Sequence, residues 1–146
     1  MTSISAIRPE DHSEWADLWD AYLRFYESEL APEVTDETFR RITVGDGIHG
    51  AIARDADGRA IGFVHWLTHA STWSATAYCY LEDLFVDPES RGGGTGSALI
   101  AHVRQWAEGA GCDKVYWLTQ ETNTTARHLY DQVASHTGFT HYEIEL

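Results

Sequence analysis

Apolar residues along the chain change their period several times, and each change marks a predicted element. Ile4 to Ile7 form a short apolar run closed by Arg8-Pro9, which predicts a first strand. Trp15, Leu18, Trp19, Tyr22 and Tyr26 then recur at helical spacing. That aromatic stripe either packs as core or lines one wall of a substrate cleft. Asp11, with Glu14 three residues on, resembles a capping box in which Asp replaces Ser or Thr. Pro32 breaks the chain, and Thr35 to about Val44 reads as a second helix carrying Phe39 and Ile42. Ile48 to Arg54 and Ala60 to Thr68 predict two strands joined by the hairpin signal Asp55-Ala56-Asp57-Gly58. A third run spans Ala75 to Val86. A helix to about Ala110 places Leu99, Val103, Trp106 and Ala110 on one face, with Gly111 to end it. Val115 to Leu118 is a compact strand, and Asn123 to Val133 a helix with Ala126, Leu129, Tyr130 and Val133 on its apolar side. A final alternating strand runs from Gly138-Phe139 to Leu146.

An antiparallel meander followed by strand–helix–strand crossovers implies an α+β fold. Its core would be a mixed sheet of about six to seven strands, with helices on both faces. No repeat, low-complexity tract or linker interrupts the order, and 146 residues are read as one domain, 1–146. Hydrophobic residues make up 43% of the chain, enough for a packed core rather than disorder. No apolar run approaches the roughly 20 residues needed to span a bilayer. The start, Met1-Thr2-Ser3-Ile4-Ser5, lacks the features of a signal peptide, so a cytoplasmic protein with no membrane partner is expected. Cys79 and Cys112 are too few for a disulfide framework, and Cys79 reads as a buried thiol. The formal net charge of −13 opposes nucleic-acid binding and draws cations toward a cleft, or else simply keeps the protein soluble.

Candidate chemistry concentrates between Tyr80 and Tyr130. After the third run, Gly92, Gly93, Gly94 and Gly96 surround Thr95, and Ser97 opens the helical run Ala98-Leu99-Ile100. Bare glycines permit φ > 0 and close approach to the backbone. The amides behind them, at a helix N-terminus, suit a phosphate-like anion. No Lys-Ser or Lys-Thr follows, which excludes a Walker loop, and the position is too late for a dinucleotide fingerprint. Upstream, Leu81-Glu82-Asp83-Leu84-Phe85-Val86 sets two carboxylates inside an apolar strand. Period-two geometry sends them to opposite faces. A half-buried carboxylate is costly unless paired, hydrated or used, and burial makes a glutamate a better base. Downstream, Asn123 is a good N-cap, and Tyr130 lies seven residues on as a core or site aromatic. Eight histidines share no ligand spacing with Cys or Asp, so no metal is expected. No Gly-x-Ser-x-Gly elbow surrounds Ser97, leaving a hydrolase without support.

The Arg-x-x-Gly-x-Gly pattern beginning at Arg91, preceded by a hydrophobic strand and Val86-x-Pro88, resembles the acyl-CoA pyrophosphate loop of the GNAT superfamily of N-acyltransferases. The element order is also similar to that fold over nearly the whole chain. The resemblance implies acetyl-CoA as co-substrate, held by Leu84, Phe85, Val86, Arg91, Gly92, Gly93, Gly94, Thr95, Gly96 and Ser97, with Asn123 on its arm. It further implies that the Tyr130 hydroxyl protonates the departing thiolate. Leu-Glu-Asp-Leu-Phe-Val before the loop resembles the diamine and spermidine/spermine branch and small histone/polyamine acetyltransferase-like proteins. There, the glutamate matching Glu82 acts through water as base toward the substrate amine. Asp83, Trp73 (after a one-residue insertion) and the looser match Tyr26-Glu27 then fall at the amine site. Ser71 departs from an acidic residue of that branch, which weakens long-polyamine recognition. The expected reaction is direct transfer of acetyl to a small cationic amine. A protein or peptide amine, or a non-catalytic acyl-CoA sensor, are the alternatives. Many relatives form homodimers, some through the C-terminal strand.

Overall fold

The computed structural model describes all 146 residues, Met1–Leu146. Two compact units divide the chain, Met1–Tyr116 and Trp117–Leu146. The first contains β1 (Ser3–Ala6), α1 (His12–Phe25), α2 (Pro32–Val44), β2 (His49–Arg54), β3 (Ala60–His69), β4 (Tyr78–Val86), α3 (Thr95–Gly109) and β5 (Lys114–Tyr116). Its sheet runs β1-β2-β3-β4-β5, antiparallel except for the parallel β4–β5 pair. The sheet is mixed, as expected, but five-stranded rather than six- or seven-stranded.

Strand alternation assigns the two faces. Ile52, Phe63 and Phe85 join Trp15, Leu18, Trp19 and Ile42 in a core beneath α1 and α2. On the other face Trp66 packs edge-on against Trp106 and His102 of α3, with ring centroids 5.6 and 5.8 Å apart. Gly62 is needed there: a Cβ would stand 2.7 Å from the Phe85 carbonyl oxygen. Cys79 is fully buried, and burial together with the neighbouring Cys112 pushes its thiol up to about 12.

Several boundaries differ from expectation. Pro32 starts α2 instead of breaking the chain before it, because a first-turn position needs no N–H and accepts proline's fixed φ. Asp11 does not cap α1; its carboxylate reaches back to the Arg8 backbone N–H at 2.8 Å and pairs with Arg54 at 2.8 Å. The third run becomes a strand only at Tyr78.

The second unit holds α4 (Thr124–Val133) and no strand. The expected C-terminal strand does not form. Phe139, Tyr142 and Ile144 stand 92%, 91% and 88% exposed. Alternation prepares a segment for a ladder, but a strand exists only when a neighbouring backbone completes it. No helix of the chain is long and apolar enough to cross a membrane.

Candidate active site

The two carboxylates of β4 lie on a β-bulge. His65 pairs with Asp83 and Trp66 with Leu81, so Glu82 is the extra residue, opposite nothing. The bulge corrects the expected alternation. Asp83 faces α1, Tyr80 follows on the same face, and Glu82 sits between them near Tyr22 rather than on the opposite side.

Asp83 is bound on both oxygens. The Tyr22 hydroxyl donates to Oδ1 at 2.7 Å, and His65 Nδ1 lies 2.9 Å from Oδ2. Glu82 keeps contact with solvent, yet the surrounding protein desolvates its carboxyl and raises its pKa, and the Asp83 charge raises it further. Hydrogen bonding from Tyr80 opposes part of that rise. The phenols nearby are held protonated. Burial, then Asp83, raises Tyr22 and Tyr26; burial, then Glu82, raises Tyr80 and Tyr116. The arrangement can therefore accept a proton at Glu82, beside an Asp83 carboxylate whose two oxygens are both hydrogen-bonded.

β5 pairs β4 only from Tyr78 to Tyr80, so the β4 edge from Leu81 to Val86 has no strand partner on that side. Apart from the Val86 carbonyl, which Arg91 engages, its outward peptide groups have no strand to pair with and can meet an extended ligand arm. Phe85 also turns its ring into the core. Beyond β4, Arg91 Nε–H donates to the Val86 carbonyl at 3.1 Å, and the guanidinium lies over the rings of Phe25 and Phe85. The glycine loop that follows fits a diphosphate. Gly92 and Gly94 take φ of 85° and 82°, with nothing within 4 Å of where a Cβ would stand. Gly94 is the N-cap of α3, and no side chain caps the helix. The amides of Thr95, Gly96 and Ser97 are thereby left to an incoming anion.

In the second unit the Asn123 carboxamide oxygen accepts from the Ala126 N–H at 3.4 Å, capping α4. Tyr130, on that helix, sets its ring edge-on to Trp117 at 5.3 Å.

Of the residues expected at the amine site, the fold gathers Glu82, Asp83 and Tyr26, whose ring packs against Tyr22 at 5.1 Å. Glu27 follows α1 in the left-handed region, with φ of 51°, and points to solvent. Trp73 is not gathered; it stands 88% exposed in the β3–β4 turn, held by its N–H to Ser71 Oγ. His65 was legible only as a strand position, and Trp15 and Tyr22 as part of a stripe that packs as core or lines a cleft wall. A histidine alternating with Phe63 opposite Asp83 was the one available signal. No three His, Cys, Asp or Glu side chains come together as a metal site.

Comparison with known proteins agrees with this architecture. The chain is 37% identical over 142 residues to a D-amino-acid N-acetyltransferase of Saccharomyces cerevisiae, covering 96% of this chain and 88% of that one. It is 30% identical over 141 residues to an aminoglycoside N(6')-acetyltransferase of Klebsiella aerogenes, covering 88% and 89%. The fold matches AAC(6')-Iy, solved with the bisubstrate analogue CoA-S-monomethyl-acetylneamine, at a TM-score of 0.86 and 21% identity over 100% and 99% of the chains. The model of the acetyltransferase (GNAT) family matches residues 15–134, and this chain belongs to that family as an acetyl-CoA-dependent N-acetyltransferase.

Proposed function

We propose that the acceptor is a small cationic primary amine of the diamine or polyamine type, acetylated by direct attack with Glu82 as base. One observation carries this reading: the bulge brings two carboxylates to one face among neutral phenols, and neither Lys nor Arg bonds to either, His65 being the one basic partner, on Asp83. Acetyl-CoA supplies the acetyl thioester. The amides of Gly92 to Ser97 hold its diphosphate, aided by Arg91, and the open edge from Leu84 to Val86 orients its arm. Asn123 contacts that arm.

The acceptor arrives as an ammonium, and only the free amine is nucleophilic. With an alkylamine pKa near ~10.4, deprotonation at neutral pH costs about 4–5 kcal/mol unless the site shares it. Glu82, its proton affinity raised, takes that proton, directly or through water. Asp83 balances the positive charge of the arriving ammonium, and Tyr26 and Glu27 line its approach. Trp73 joins them only if the β3–β4 turn folds inward. Tyr130 gives its phenolic proton to the leaving sulfur.

The similarity to an enzyme of D-amino acids favours a second reading, in which the acceptor also bears a carboxylate. A thiol-release assay with diamines, polyamines, an aminoglycoside, D- and L-amino acids and peptides separates the two. Diamines are expected to show the highest kcat/KM, and Tyr130→Phe to slow turnover while leaving CoA uptake intact. Turnover confined to amino acids or peptides overturns the acceptor assignment; CoA binding without thiol release from any amine identifies a sensor.

The exposed alternating segment from Phe139 to Leu146 also favours a homodimer, a second copy completing the ladder this chain leaves open. Light scattering is expected to show a dimer for the full chain and a monomer after truncation at Thr137.

A further inference from the structure

His65 is 1% exposed in the middle of β3, where a fully apolar side chain would pack without needing a partner. Both its ring nitrogens are engaged. The Trp15 indole Nε1–H donates to Nε2 at 3.0 Å, and Nδ1 lies 2.9 Å from Asp83 Oδ2. An indole nitrogen can only donate, so Nε2 must carry the lone pair and Nδ1 the proton. The imidazole is neutral, and it donates to Asp83. Tyr22 donates to the other oxygen of the same carboxylate. Trp15 is itself fully buried and stacked on Trp19 at 5.7 Å, so the chain of bonds is anchored in the core.

We infer that His65 is a positioning residue for amine acetylation: locked by Trp15 in its Nδ1–H form, it donates to Asp83 and fixes that carboxylate beside Glu82. The inference rests on the reading of Glu82 as base. Two neighbouring carboxylates ordinarily compete for one proton. Here hydrogen bonds to both oxygens of Asp83 favour its charged form, and the proton belongs to Glu82. Asp83 then serves twice. Its charge strengthens the neighbouring base, and it stabilises the positive charge that forms on nitrogen during attack. Glu82 is faced by Asp83 and Tyr80 on β4, His65 on β3, Tyr22 on α1 and Tyr116 on β5. Tyr26 of α1 also faces Asp83. The four phenols stay protonated, and protonating His65 would require breaking the Trp15 bond. Glu82 is left as the group that titrates.

The first test needs no variant. Imidazole nitrogen NMR of the wild-type protein should show His65 protonated on Nδ1 and bare on Nε2 between about pH 5 and pH 8. An Nε2–H form or an imidazolium in that range overturns the inference. The second test is the pH dependence of kcat/KM for the amine. Asp83→Asn should move the acidic limb down by about one pH unit, and His65→Leu, which lets Asp83 compete for the proton, should move it up. His65→Leu should also lower kcat about tenfold, with the KM for acetyl-CoA unchanged. His65→Gln, whose amide can both accept from Trp15 and donate to Asp83, should restore the wild-type limb. Trp15→Phe frees Nε2 and should displace the limb even if the leucine variant fails to fold. A folded His65→Leu or Trp15→Phe protein with an unmoved limb sinks the inference. If Glu82→Gln keeps that limb, the assignment of the base falls instead, and the two failures are distinguishable.

Discussion

The bulged stretch of β4 and the glycine loop lie a few residues apart, yet they are made of opposite materials. Both oxygens of Asp83 are fixed by side chains drawn from α1 and β3, and those side chains are anchored in the aromatic core. From Gly92 to Gly94 the loop offers exposed backbone with almost nothing around it. A site built from side chains reads its ligand by charge and shape, and any of its parts can be changed by substitution. A site built from amides reads only an anion of the right size, and it fails chiefly where a Cβ forbids the required φ. The contrast suits a protein that uses one donor but must select its acceptor.

The largest effect expected is at the boundary of the two regions. Glu82→Gln should lower kcat about 10²–10⁴-fold while calorimetry shows CoA uptake unchanged. Loss of CoA affinity in that variant would erase the separation between the regions. Next is a glycine that belongs to the core and not to the loop. Gly62→Ala drives a methyl into the Phe85 carbonyl and should cost about 1–3 kcal/mol, read as a fall in Tm of several degrees. Within the loop, Gly94→Val forces a branched residue into the left-handed region at about 1–2 kcal/mol. CoA binding should weaken roughly tenfold with the acidic limb of the rate profile unmoved. Gly93→Ala, whose Cβ would stand 3.8 Å from the Ser90 carbonyl oxygen, is its control for the fold and should keep the Tm of the parent.

The smallest effect concerns the other face of the sheet. Burial lowers the pKa of His49 and His102 below the ordinary 6.5. The unfolded chain therefore takes up protons that the folded one refuses. Their contribution to stability is full above about pH 6.5 and declines as pH falls toward the folded values. Tm should drop between about pH 7 and pH 5. His49→Phe should flatten that slope without touching the amine profile.

Much of this was legible in the chain, because glycine and proline spacing, helical stripes and strand alternation are local signals. The loop, α3 and the hairpin lie close to where those patterns put them. What escaped was register. The bulge at Glu82 depends on which residue of β3 meets which of β4, and Leu81 to Val86 reads as an ordinary strand. The role of Asp83 escaped with it. Tyr22 lies 61 residues from Asp83, His65 18, and Trp15 50 from His65, and the local pattern offered the aromatics as core or cleft wall and the histidine only as a strand position. The C-terminal strand was overread for the converse reason: alternation in Gly138 to Leu146 is real, and what pairs with it is not written there.

Being supernumerary in its strand, Glu82 carries no rung of the sheet and little of the interior. Exchanging it disturbs neither pairing nor packing, so Glu82→Gln should melt near the temperature of its parent. Chemistry mounted on such a residue is detachable: descendants can lose, swap or regain reactivity there while the scaffold beneath stays untouched.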